Sequence, residues 1–236
     1  MDKIHVKDRD IVVPGDLLAE GMSFLPAGRA FRDNEKLYAS IAGLVNIKGK
    51  VVKVIPLSGA YVPQSGDDVI GTVENIGRSG WAINISGPFN ADLNIGEAST
   101  RYIDLNKTDL TEIYDVGDSV LAQVKQITQS GYVKLSTKDS KYHRLDSGNI
   151  INVSPTKIPR IIGKKGSMIA MLKEKTGCKM FVGQNGKVWI DGEPNKVALV
   201  SRIVKMVERD SHMRGLTSKV QAILVKAKPS GKGGKK

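Results

Sequence analysis

A single cysteine, Cys178, and only three histidines, His5, His143 and His212, set the first limits on this sequence. One thiol excludes an intramolecular disulfide, and these scattered residues offer no zinc-ligand spacing, so no metal is expected. No Gly-Lys-Ser/Thr phosphate loop and no Gly-x-Ser-x-Gly nucleophile elbow occurs. No partnered nucleophile or carboxylate pair follows from spacing either, so the expectation is a protein without catalysis or cofactor. No apolar run approaches the ~20 residues that a membrane-spanning helix requires. The opening Met1-Asp2-Lys3-Ile4-His5 lacks the basic-then-apolar layout of a secretory signal. A soluble, cytoplasmic protein is expected.

What the sequence has in excess is positive charge, and it is unevenly placed. The net charge is +12 over 236 residues. Residues 1–137 carry 14 Lys/Arg against 17 Asp/Glu, whereas residues 138–236 carry 22 against 7, a local net of +15. The C-terminal part is built to meet a polyanion, or else presents a solvated basic surface with a lysine tail. Charge alone leaves both readings open.

The punctuation divides the chain into small modules. Residues 11–62 alternate β-branched runs (Ile11-Val12-Val13 and Val51 to Ile55) with Pro14-Gly15, Pro26-Ala27-Gly28 and Ser58-Gly59, which read as turns between short strands. Between Gly66 and Lys138 five strand candidates follow, at residues 69–73, 81–85, 91–93, 119–124 and 132–135. In the fourth, Val120, Ala122 and Val124 share one face while Gln123 and Lys125 oppose them. Gly71 suits a tight bend in the first. Five short strands in about 70 residues is the size of an OB-fold barrel.

Beyond Lys138 helices alternate with strands. A short helix is expected at 157–162 and an amphipathic one from Ser167 to Thr176, stopped by Gly177. Strands at 178–182 and 187–190 flank Gly183-Gln184-Asn185-Gly186, whose Asn-Gly pair favours a tight hairpin. Pro194 opens a helix carrying Val197, Val200, Ile203, Val204 and Val207 at helical spacing. Lys226 to Lys236 hold five lysines without an acid, so disorder is expected at the end.

The sharpest motif is Ile161-Ile162-Gly163-Lys164-Lys165-Gly166, a Gly-x-x-Gly loop between two helices. Within this order of elements it resembles a KH domain from about Ser147 to Asp210. The resemblance implies that Gly163 and Gly166 let the nucleic-acid backbone approach, that Lys164 and Lys165 neutralise phosphates, and that Lys157 and Arg160 flank the path. A plain helix-helix turn with two solvated lysines is the alternative. The barrel resembles an S1 domain through Gly71 to Ile76, Gly80-Trp81-Ala82-Ile83 and Gly117-Asp118-Ser119-Val120. The positions where S1 domains often place stacking aromatics fall at Ser79 and Ala82, and a frequent histidine is replaced by Asn94. Trp81 between them is either a stacking platform or part of a domain interface. With five Lys/Arg against ten Asp/Glu over residues 66–137, this barrel is no general anion sink. Local cations, Arg78 and Arg101, are its expected contacts with RNA, unless both are tied up by Glu97 or Asp104.

The order of modules carries a further resemblance. A β module, an S1 barrel and one KH domain resemble the archaeal exosome cap subunits of the ribosomal-RNA-processing-protein-four type. Val13-Pro14-Gly15-Asp16, Pro26 to Arg29, Tyr61-Val62-Pro63, Gly66 to Gly71 and the Gly-x-Asn-Gly of Gly183, Asn185 and Gly186 match that family. The expected architecture is multidomain: an N-terminal β domain over 1–62, an S1-type OB-fold barrel over 65–138, an α/β KH domain over 147–211, and a basic, partly disordered tail over 212–236. The resemblance implies a non-catalytic subunit, three copies of which sit on a hexameric phosphorolytic ring and steer single-stranded RNA towards 3′-to-5′ degradation. The other cap subunit, with which it could be mixed, carries a zinc ribbon that one cysteine cannot supply. An S1/KH factor of transcription or translation is the alternative function. Bacterial elongation factors of that kind usually carry two KH domains, and a polynucleotide phosphorylase fragment would place KH before S1.

Overall fold

The structure is a computed structural model and describes residues 2–99, 109–128, 131–211, 213 and 215–226. The chain divides into two compact units, residues 1–59 and 60–236. No helix among the described residues is long and apolar enough to cross a membrane.

The first unit consists of short strands: β1 (Lys3–Ile4), β2 (Ile11–Val12), β3 (Leu17–Glu20), β4 (Leu25–Gly28), β5 (Ala30–Asp33), β6 (Lys36–Ala39), β7 (Gly43–Lys48) and β8 (Val51–Pro56). They form two four-stranded sheets, ordered β1-β3-β6-β5 and β2-β7-β8-β4. Both sheets contribute to one core, in which Val12, Leu18, Leu37, Val45, Val52 and Val54 are buried. Alternation along β8 explains this: Val52 and Val54 face inward while Val51, Lys53 and Ile55 face out. Pro26-Ala27-Gly28, expected as a turn, lies instead in β4, paired in parallel with β8. A proline is tolerated there because β4 is an edge strand, where a missing N–H leaves no ladder bond unmade.

The second unit begins with a barrel of β9 (Asp68–Gly77), β10 (Gly80–Asn84), β11 (Ala91–Asn94), β12 (Ser119–Ile127) and β13 (Val133–Ser136). β9 pairs with β10 and β12, β10 with β11, β11 in parallel with β13, and β13 back with β12, which closes the cylinder. Two short helices, α1 (Ile95–Ala98) and α2 (Leu110–Ile113), lie between β11 and β12 in sequence. Val120, Ala122 and Val124 face the barrel core, as their spacing predicts. Gly71 is needed for space: a Cβ there would lie 2.1 Å from Ile83 Cγ2. β14 (Arg144–Leu145) then adds to β12.

The remaining elements are β15 (Asn149–Asn152), α3 (Ile158–Ile162), α4 (Ser167–Thr176), β16 (Lys179–Val182), β17 (Lys187–Asp191), α5 (Pro194–Arg209) and α6 (Leu216–Lys226). The strands form an antiparallel sheet in the order β15-β17-β16, and the helices share its apolar core. α4 ends at Gly177 with φ 71°, the left-handed cap expected of that glycine. α6 occupies the start of the stretch assigned to a tail. Leu216, Val220 and Leu224, at helical i, i+4, i+8 spacing, are buried in the KH core.

A carboxylate ties α6 to the end of α5. Asp210 accepts from Arg209 Nε at 2.9 Å and from Lys219 Nζ at 2.7 Å. The two cations, Arg209 first and Lys219 second, lower its pKa from 3.8 to about 2. A carboxyl depressed on folding stabilises fully above its ordinary pKa, and the contribution is lost as pH falls through the folded value. Hydrogen-exchange protection of α6 is therefore expected to drop between about pH 4 and pH 2 in the parent chain. In Asp210→Asn this step should disappear. An identical pH profile in both would show that the ion pairs do not hold α6.

Candidate nucleic-acid interface

The Gly163–Gly166 turn is shaped by backbone requirements. Gly163 has φ 77°, and a Cβ on it would lie 2.7 Å from Met168 Cβ and 2.8 Å from Met168 N, so only glycine fits. Lys165 (φ 52°) and Gly166 (φ 78°) are both left-handed, and Gly166 N donates to Gly163 O at 3.2 Å. This turn lifts Lys164 and Lys165 into solvent. Gly166 caps α4 without a side-chain hydrogen bond, and Ser167 N, the first of the helix, donates to Lys164 O. Arg160 is exposed on α3, and Lys157, closing the turn of 3-10 helix at Pro155–Lys157, is half-buried. Among the described residues none of these four cations pairs with a carboxylate. Cations free of carboxylate partners in and just before this turn suit phosphate binding.

A second surface lies on the barrel. A cleft of about 630 Å³ has Arg78, Ser79, Ala82, Asn94, Lys125 and Lys134 among its lining residues. It contains Ser79, Ala82 and Asn94, the positions singled out by the S1 resemblance. Arg78 is exposed in the β9–β10 turn and forms no ion pair among the described residues. Glu97 is engaged elsewhere, by Lys125 at 2.7 Å and Lys138 at 3.2 Å. Arg101 and its candidate partner Asp104 lie outside the described residues. Lys134 reaches this cleft because β13 alternates, with Val133 and Leu135 inward and Lys134 outward. That alternation was legible in the sequence.

Trp81 does neither of the things weighed for it. It is 2% exposed, donates from Nε1 to Tyr114 O at 2.8 Å, and meets the Tyr114 ring edge-on at 5.2 Å between centroids. The residue is part of the barrel core. The pleat that presents Ala82 to the cleft turns Trp81 inward.

The Gly-x-Asn-Gly segment joins the two surfaces into one unit. It is a hairpin turn between β16 and β17, with Gly183 N donating to Lys187 O at 2.8 Å. It is also a clasp on the barrel. Asn185 Nδ2 donates to Ile70 O at 2.8 Å and Ile85 O at 2.9 Å, and Ile70 N donates to Asn185 Oδ1 at 3.3 Å. Gln184 N adds a bond to Asp68 O at 2.7 Å. Both glycines are required: a Cβ on Gly183 would fall 2.4 Å from Asn185 Oδ1, and one on Gly186 (φ 85°) 2.4 Å from Val153 O.

Around the clasp Ile70, Leu121, Tyr142 and Trp189 form a buried seam. Leu121 thus fills the barrel face opposite Val120 and Ala122, beneath the KH sheet. Tyr142 donates to Asp68 Oδ1 at 2.5 Å; burial and that carboxylate push its phenol up to about 12, so it remains a neutral donor. Lys141 pairs with the same carboxylate at 3.2 Å. Burial lowers the pKa of Lys187 beside the clasp, partly offset by Glu74.

Comparison with known proteins agrees with this geometry. Residues 9–58 match the family described as exosome RNA binding protein RRP4 N-terminal domain, and residues 148–196 match the KH domain family. The exosome complex component Rrp4 of Thermococcus kodakarensis is 41% identical over 228 residues, covering 95% of this chain and 88% of that protein. Its namesake in Methanothermus fervidus is 38% identical over 95% of this chain and 99% of its own length. A crystal structure described as an exosome complex RNA-binding protein superposes with a TM-score of 0.65 at 30% identity, covering 71% of this chain and 97% of that one. The Gly-x-Asn-Gly clasp, the closed barrel and the KH sheet thus stand in a chain that belongs to the Rrp4 family of exosome complex components.

Proposed function

We propose that this chain is a non-catalytic, cytoplasmic subunit that caps the phosphorolytic ring of an exosome and guides single-stranded RNA to it for 3′-to-5′ shortening. The carrying observation is the Gly163–Gly166 turn, which holds Lys164 and Lys165 exposed at the start of α4, with Arg160 exposed on the helix before it. The relatives are named as exosome components and a structural neighbour as an RNA-binding protein, which supports the same reading. In this division of labour residues 65–138 and 147–211 contact RNA through Arg78, Arg101 and the KH turn, and residues 212–236 add charge. Residues 1–62 dock on the ring. Cross-strand register supports that docking, because Ile11, Leu44 and Ile55 form one row on the outward face of β2, β7 and β8. Ile11 is 70% exposed and Ile55 40%, so the row presents apolar side chains to solvent. Three copies per ring, alone or mixed with the zinc-ribbon cap subunit, would multiply weak contacts into avidity.

Tagged chain isolated from its native cell in mild salt is expected to bring ring subunits and phosphate-dependent 3′-end shortening, while the purified chain alone shortens nothing. Recovery with ribosomes or polymerase, without phosphorolysis, would move the function to translation or transcription.

A further inference from the structure

The barrel cleft carries a carboxylate that is tied to two of the molecule's own lysines. Asn94, standing where S1 domains often have a histidine, caps α1: its Oδ1 accepts from Gly96 N at 3.0 Å, which sets Glu97 in the first turn of that helix. Glu97 lines the cleft together with Arg78, Lys125 and Lys134. Its Oε1 accepts from Lys125 Nζ at 2.7 Å and from Lys138 Nζ at 3.2 Å. Oε2 is buried and has no hydrogen-bond partner.

A network arranged for stability alone would serve both oxygens, because a buried acceptor without a donor keeps its desolvation cost. Here one oxygen takes both ammonium groups, and two lysines on one carboxylate leave a local excess of positive charge. Lys125 is also placed to leave. It sits in the bulge of β12, where the register against β13 shifts between Val124 and Gln126, and its side chain is 55% exposed. An ion pair this open to solvent is held weakly.

We infer that Lys125 is a phosphate contact of the cleft held in reserve by Glu97, which takes the lysine that an RNA phosphate would otherwise take and so sets how tightly the barrel grips the strand. The inference rests on the RNA-guiding function proposed above. A phosphodiester carries the same single negative charge as Glu97, so the two compete for Lys125 on similar terms. Arg78 and Lys134 in the same cleft draw the strand in and tip the balance towards it. When the phosphate moves on, Glu97 takes the lysine back. A strand passed along in this way is held loosely enough to advance, as guiding requires.

The test uses the full chain and an oligoadenylate of about 15 nucleotides. Glu97→Gln is expected to tighten binding roughly fivefold, because Lys125 is freed for phosphate. In the Lys125→Met background the same substitution should change affinity less than about twofold. Asp92→Asn removes the same charge from the same cleft but releases no lysine, since Asp92 pairs with none among the described residues, and it should also stay within about twofold. α1 is tied to the end of β13 through main-chain oxygens, Thr137 N donating to Glu97 O at 2.8 Å and Thr137 Oγ1 to Ala98 O at 3.0 Å. Glu97→Gln is therefore expected to fold, and thermal unfolding checks this. In the parent chain the nitrogen resonance of Lys125 Nζ should shift as the strand is added. If the parent binds and Glu97→Gln binds no more tightly, or its gain persists without Lys125 or is matched by Asp92→Asn, the reserve is wrong while the RNA-guiding function stands. An unmoved Lys125 resonance in the saturated parent would overturn it as well. Failure of the parent chain to bind the strand would refute the RNA-guiding function itself.

Discussion

Replacing Asn185 with alanine is expected to destabilise the barrel-KH unit by about 3 kcal/mol, because the substitution strands three buried backbone groups at once. The carboxamide is 4% exposed and serves Ile70 O, Ile85 O and Ile70 N, all on the barrel. Asn185→Asp should be worse, since a carboxylate cannot donate to two carbonyl oxygens and would place a charge against them. Gln184→Ala is the control, because that residue contributes its backbone N–H to Asp68 O and should change stability by less than about 0.5 kcal/mol. Urea unfolding provides the measurement. The parent unit should unfold in one transition and Asn185→Ala earlier, with the barrel and KH transitions drawing apart. A midpoint unchanged by Asn185→Ala would mean that the hydrophobic seam of Ile70, Leu121, Tyr142 and Trp189 holds the unit without the clasp.

Reversing two charges in the Gly163–Gly166 turn should give the largest effect on RNA. Lys164→Asp with Lys165→Asp removes two phosphate-neutralising cations and adds two repelling anions beside the start of α4. A loss on the order of 100-fold in affinity for a single strand at moderate salt is expected, with the salt dependence shallower by about 1.4 in the log-log slope. The fold should survive. Both lysines are exposed, and aspartate is among the residues that tolerate the left-handed backbone found at Lys165, where φ is 52°. Fluorescence anisotropy against salt concentration measures both quantities, and thermal unfolding checks the fold. Unchanged affinity would mean that this turn serves assembly and that RNA binding belongs to the barrel.

Much of this architecture could be read from residue order. Period-two patterns marked Val120, Ala122 and Val124 as barrel core, the 3.6-residue spacing of Val197 to Val207 marked α5, and Gly177 marked the end of α4. Local rules sufficed because each of these elements is built by its own sequence. α6 was less legible. Its stripe of Leu216, Val220 and Leu224 is interrupted by Lys219 and flanked by lysine-rich chain, and the cluster that receives it is assembled from distant elements. The edge position of β4, which accommodates Pro26, likewise exists only once the sheet has formed.

By itself the sequence determined the modules, their order, the location of positive charge and the Gly-x-x-Gly turn, since these depend on neighbours within a few residues or on composition. Tertiary structure alone decided which face of a strand is empty and which is occupied. It put Trp81 in the core with its N–H on Tyr114 O, and set Phe89 beside Gly131. It also gave Asn185 partners at positions 70 and 85. Those outcomes require contacts between residues up to 115 apart in the chain, and no local propensity encodes such a distance. A hairpin turn and an interdomain clasp use the same four residues, and only the packed barrel distinguishes them.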